Sequence, residues 1–216
     1  MGSGAALSRL TSFDVFFNIA SGRWILAHGF PRGDPFSVTA PHAWFPHQWG
    51  YGVLAAWSAR WMGGAGPAWL AGLVLAGTIL LLWRILARAA GRGGLAALVC
   101  VLLALLAQLH TWDAQRGHQL GTLLFVAAAA VCLHHRAAPG GWRGVWLLVP
   151  LCALWANLHG SWLAGPALAG AIGCGMLIDR RRSEEPAAKA LALCGAALLG
   201  ILAAAVSPEG LRTCLY

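Results

Sequence analysis

A chain of 216 residues with 59% hydrophobic and only 10% charged side chains, at a mean hydropathy of +0.67, cannot cover a soluble globule with polar surface. Lipid is its natural solvent. The formal net charge of +8 does not mark a nucleic-acid surface, because the basic residues stand singly or in short runs between apolar stretches.

Residues 1–11 are rich in Gly, Ser and Ala and contain no apolar core of a signal peptide. Ser12 is a suitable cap for a helix over Phe13–His28, with Val15, Phe16, Ile19, Ile25 and Leu26 on an apolar face and Gly29 as its stop. Such a helix lies in the membrane interface rather than across the bilayer. Pro31, Gly33, Pro35 and Pro41 then hold the chain to turns. Pro46 opens a second interfacial helix, about His47 to Met62, anchored by Trp49, Trp57 and Trp61. Residues 1–62 are thus expected to form an external segment that carries the candidate site, and residues 63–216 a transmembrane helix bundle.

The expected fold class is all-α: a polytopic membrane bundle of about six spans, each near the ~20 residues a bilayer needs. They fall at roughly 66–86, 93–111, 118–134, 143–157, 160–178 and 187–206. Pro150 and Pro166 should kink the fourth and fifth. Dense Ala and Gly, as in Gly165–Gly175 and Gly195–Gly200, suit close helix packing. Arg84, Arg88 and Arg92, then Arg136 and Arg143, then Arg180, Arg181, Arg182 and Lys189 load the odd loops, whereas the even loops hold only Arg116. The odd loops are therefore cytoplasmic and the Phe13–Trp49 segment external. A transmembrane helix ahead of residue 1 would carry that segment across, so the chain is expected to be the C-terminal part of a longer protein. Of the six cysteines none forms a Cys-x-x-Cys pair, and five sit in apolar spans as small hydrophobes.

This orientation gathers the unexplained polar residues on one face. Asp14, between Phe13 and Val15-Phe16-Phe17, is either a desolvated functional carboxylate or a helix-end residue. Asp34, ahead of Pro35, is a turn former or a site residue, and His47 stands at a helix start. Asp113 and Arg116 make either a local ion pair or a guanidinium aimed at phosphate, with Gln119 in reach as a hydrogen-bonding partner. Asn157 and His159, in the tight turn Trp155-Ala156-Asn157-Leu158-His159-Gly160, are polar for their depth and are expected to line the external cavity. Six external histidines without helical ligand spacing make a weak zinc signal, so no metal ligands are assigned.

These residues carry a resemblance. Asp14-Val15-Phe16-Phe17, Gly22-Arg23-Trp24-Ile25-Leu26, Asp34-Pro35-Phe36-Ser37-Val38-Thr39 and His47-Gln48-Trp49 resemble a bacterial multi-pass family related to the GT-C membrane glycosyltransferases, the broad class of protein mannosyltransferases and aminoarabinose transferases. The likeness continues through Arg116–Leu124, Trp155–Gly160 and Ser207-Pro208-Glu209-Gly210-Leu211, nearly the whole chain. It implies sugar transfer from a polyprenyl-phosphate donor at the outer face of a bacterial inner membrane, to an acceptor it does not specify. It implies Asp14 as the catalytic acid of the first external loop, and Arg116 and His159 as holders of the lipid phosphate. No cofactor follows from it, and a divalent metal is left open. Two positions depart from the pattern: Val15 stands where many relatives carry a second acid, and Asn18 where they often carry histidine. The competing readings are a non-catalytic relative that binds lipid-linked intermediates, and a transporter. Transport is disfavoured because the ionisable groups collect at one edge rather than near the midplane.

The orientation is open to labelling. A cysteine placed at position 116 should react with an impermeant reagent in intact cells and one at position 181 should not; the reverse pattern would invert the topology.

Overall fold

The computed structural model describes residues 13–31, 33–37, 46–90, 94–95, 97–103, 117–139, 141–179, 186–208 and 210. Among these no strand occurs, and the chain is all-α as expected. The described helices include α1 (Phe13–His28), α2 (Trp49–Met62), α3 (Gly66–Ala90), α4 (His118–Ala137), α5 (Leu148–Leu158), α6 (Ala164–Asp179) and α7 (Ala187–Ala203). Residues 97–103 are also helical. The chain forms two compact units, Met1–Leu120 and Gly121–Tyr216.

In the first unit α1 has the expected bounds. Asp14 lies in its first turn and His28 in its last, the order that the helix dipole favours. Gly29, at φ 81°, ends it, its N–H donating to the Ile25 carbonyl at 2.9 Å. The expected cap, Ser12, lies outside the described residues. The apolar residues of α1 do not share one face. Val15, Ile19 and Gly22 are buried, whereas Phe16 and Leu26 are exposed. The helix needs two apolar surfaces because α2 covers only one of them.

The α1–α2 contact is made by small residues. Gly52, Ala55, Ala56 and Ala59 form the buried face of α2. A Cβ on Gly22 would run into the Gly52 carbonyl, and one on Gly52 would come within 2.9 Å of the Asn18 carbonyl oxygen. The backbones touch, and that closeness is available only where side chains are absent. At the loop end Phe30 meets Trp49 edge-on, ring centroids 6.2 Å apart, and closes the hairpin. After α2, Gly63 at φ 60° breaks the helix, and Gly66 lies against the Ser58 carbonyl, so α3 folds back over the last turns of α2.

In the second unit α6 and α7 pack through glycines and alanines. Gly173 lies against Cys194 and the Ala190 carbonyl, and Gly200 against Cys152 of α5. Trp155 and Trp162 fill the space that the small residues leave. The five cysteines among the described residues are free thiols.

Among the described residues four helical runs are long and apolar enough to cross a membrane: Trp49–Ala89, His118–Ala137, Gly160–Asp179 and Ala187–Val206. The chain is therefore an integral membrane protein by helix length and apolarity. Arg143–Leu158 is apolar but shorter, with five residues of 3-10 helix and eleven of α-helix. The expected span at 93–111 lies largely outside the described residues.

The prolines differ from expectation. Pro150 and Pro166 are the third residues of α5 and α6, each behind a short 3-10 segment, Arg143–Leu147 and Gly160–Leu163. Pro67, second in α3, follows the 3-10 segment Gly63–Ala65 in the same way. In a first turn the missing N–H costs no α-helical hydrogen bond, so these prolines start helices instead of kinking them.

The glycine contact is testable. Gly22→Val should lower stability by about 1–3 kcal/mol through overpacking, seen as a drop in the thermal midpoint of the detergent-solubilised chain. Gly72→Ala, at a position with open space around it, should leave the midpoint unchanged or raise it slightly.

Candidate functional site

Asp14 is exposed in the first turn of α1, beside a Phe13 that is itself 93% exposed. Phe16 and Phe17 are exposed as well. Asp14 thus places a negative charge at a helix N-terminus among exposed apolar rings.

Asp34 has a structural task. Its Oδ1 accepts a 2.8 Å hydrogen bond from the Phe36 N–H, an Asx turn. The turn presents Phe36 edge-on to Phe17 and Trp24, centroids at 5.6 and 6.3 Å. Trp24 in turn stacks on His28 at 4.1 Å, and the His28 Nδ1–H donates to the Trp24 carbonyl at 3.2 Å. The loop after α1 is thus laid back along the helix by aromatic contacts, and the carboxylate of Asp34 sets their geometry.

His47 is exposed at the start of α2. Its Nε2 lies 3.1 Å from the Gln48 amide nitrogen. His47 belongs to the loop end of the hairpin, where Phe30 meets Trp49. The rise from Asp14 to His28 is about 20 Å, and it separates Asp14 from that end. The fold does not bring Asp14 and His47 together.

Gln119 is buried, 3% exposed, in the first turn of α4. Just before it, a Cβ on Gly117 would come within 2.6 Å of Gln48 Oε1 and 3.3 Å of the Tyr51 ring, so this turn packs tightly on the start of α2. Arg116 and Asp113 lie outside the described residues.

In the second unit, Asn157 and His159 end α5. Asn157 donates its amide to the Ala153 carbonyl at 2.7 Å, one turn back, and is half-buried. His159 has extended backbone, and its Nδ1 accepts from the Ser161 N–H at 3.2 Å. The Ser161 hydroxyl is 2.7 Å from the same nitrogen. With Nδ1 accepting, the neutral ring holds its proton on Nε2. His159 therefore caps the 3-10 segment that leads into α6. Gly121 of α4 lies directly against the pair: a Cβ there would be 2.8 Å from Ser161 Oγ and 3.0 Å from His159 Nδ1.

Ser161 and Gly121 were not singled out from the sequence. The signal available was a His-x-Ser spacing at a helix start, where an acceptor side chain is needed. His135, in the last turn of α4, is 3% exposed and hydrogen-bonded through both ring nitrogens. Among the described residues no three of His, Cys, Asp and Glu come together as a metal-holding group. No family model, curated protein or solved structure matches this chain.

The His159 cap makes a coupling prediction. Gly121→Ala should cost about 1–3 kcal/mol in the wild-type background and clearly less once Ser161→Ala and His159→Ala have emptied the space. Thermal unfolding of the four combinations gives the coupling energy; strict additivity would show that Gly121 does not touch the cap.

Proposed function

We propose that this chain is a GT-C-type membrane glycosyltransferase, moving a sugar from a polyprenyl-phosphate donor to an acceptor at the outer face of a bacterial inner membrane. The observation that carries the reading is the exposed carboxylate of Asp14 at the head of α1, set among the exposed rings of Phe13, Phe16 and Phe17. That is where a water-borne or lipid-borne hydroxyl and a lipid-linked sugar can both arrive. The motif likeness along the chain and the segregation of basic residues to alternate loops support it too.

In this reading Asp14 takes the proton of the acceptor hydroxyl, or orients it, as the acceptor oxygen bonds to the anomeric carbon. The bond from that carbon to the phosphate oxygen breaks, and the polyprenyl phosphate leaves with the electron pair. Arg116 offsets the charge on the leaving phosphate. The six-span topology, with its odd loops cytoplasmic, belongs to the same proposal.

A second reading is a non-catalytic binder of lipid-linked intermediates. It is favoured by one observation: the Asp34 carboxylate is engaged in a turn, and His47 sits at the far end of α1 from Asp14.

One assay separates the two. Asp14→Asn keeps the size and hydrogen bonding of the side chain but removes its basicity. It should slow sugar transfer by roughly 10²–10⁴-fold with donor binding retained. Arg116→Lys keeps the charge and loses the planar fork, so it should weaken donor binding first. Wild-type turnover by Asp14→Asn would end the catalytic assignment. Donor binding by a wild type that never turns over would establish the binder.

A further inference from the structure

The turn between α5 and α6 holds a hydroxyl and an imidazole in the geometry of a nucleophile and its base. Ser161 Oγ lies 2.7 Å from His159 Nδ1. The Ser161 N–H donates to the same nitrogen at 3.2 Å. An amide can only donate, so Nδ1 carries no proton in this arrangement and the hydroxyl donates to it. The cap needs only the amide of residue 161, which any residue but proline supplies. The hydroxyl is additional to it. Gly121 of α4 stands on another side of the hydroxyl, where a Cβ would come within 2.8 Å of Oγ. Ring and backbone together hold the rotamer, while Ser161 remains exposed. Serine is a weak nucleophile until a base within hydrogen-bonding reach takes its proton, and His159 is such a base.

The place of the pair narrows the substrate. Ser161 is the second residue of Gly160–Asp179, a run long and apolar enough to cross a membrane, so the pair stands at the level of the bilayer edge. Leu154 and Leu163, before and after it in the chain, are exposed. The start of the helix adds positive potential, which favours the serine oxygen as it gives up its proton. The acyl esters of glycerolipids lie at this depth, between headgroup and hydrocarbon, with their chains free to run along the apolar helix surface.

We infer that Ser161 is a nucleophile toward acyl esters of membrane lipids, with His159 as its base. Ser161 Oγ bonds to the ester carbonyl carbon as its proton passes to His159 Nδ1. The bond from that carbon to the alcohol oxygen breaks, and the alcohol leaves with the electron pair and takes the proton from Nδ1. The acyl group stays on Ser161 until water, giving a proton to the same nitrogen, adds to the carbonyl carbon and releases the carboxylic acid and the free serine. The inference does not depend on the sugar-transfer reading.

The test exposes the purified full chain in detergent to an alkyl fluorophosphonate and reads the adduct by peptide mass spectrometry. The adduct should form on Ser161 and be lost in Ser161→Ala. His159→Asn separates base from cap, because asparagine still accepts an amide at a helix start but takes no proton. It should keep the thermal midpoint and slow labelling roughly 10²-fold or more. Free imidazole should restore labelling to His159→Ala, which a merely structural histidine would not show. Absence of the adduct from Ser161 overturns the inference, as does wild-type labelling of His159→Asn or failure of the imidazole rescue. In vesicles of dioleoyl phosphatidylglycerol an acid quench should trap oleate as an ester on Ser161. Turnover of p-nitrophenyl acetate with no oleoyl ester formed from the vesicles would assign the pair to a soluble ester and overturn the lipid assignment.

Discussion

Backbone amides in a bilayer have no water to bind, and that constraint shapes every part of this chain. Each N–H and C=O has to find its partner within its own helix or in the turn beside it. Hydroxyls and amides on the helices obey the same rule. Thr78 donates to the Val74 carbonyl, Ser58 to the Ala55 carbonyl and Asn157 to the Ala153 carbonyl, all at 2.7–2.8 Å. Helix starts are where such bonding runs out, since the first amides of a helix lack partners. Three of these starts use a 3-10 segment followed by a proline, which reduces the number of amides to be satisfied.

Two helix starts in the second unit use histidine for the rest. His159 Nδ1 takes the Ser161 amide and His135 Nδ1 takes the Trp142 amide, so each ring replaces a water at the membrane edge. The rings differ in what else they do. His159 gathers a serine hydroxyl against Gly121 of α4, whereas His135 reaches across to the Lys189 carbonyl. The short apolar helix between them thus has a polar structure at each end.

Packing between helices follows from the same solvent. Lipid gives no hydrophobic reward for burying a leucine, so helices associate where backbones can approach. Gly22 on Gly52 in the first unit and Gly173 on Cys194 in the second are such places. Leu73, Leu80, Leu198 and Leu202 stay on the outside. A soluble protein would bury them; here they are the surface.

By itself the sequence determined the all-helical class and the bounds of α1, down to Gly29 as its stop. It also placed α2 and α3 to within a few residues, because apolar length, helix stops and proline are local signals. The turn role of Asp34 was legible as one of two readings, since an Asp two residues before an amide can always close on it. Tertiary structure decided the rest. It set Asp14 and His47 at opposite ends of a helix, although both stand near aromatic motifs in the sequence. It turned Pro150 and Pro166 from kinks into starts, because the preceding residues wound as 3-10 helix. It joined Ser161 to His159, and it joined His135 to Lys189, a pair that no spacing rule selects. Periodicity reports which residues share a helix face, but which side chains meet across a turn or between helices depends on where the small residues let the backbones touch.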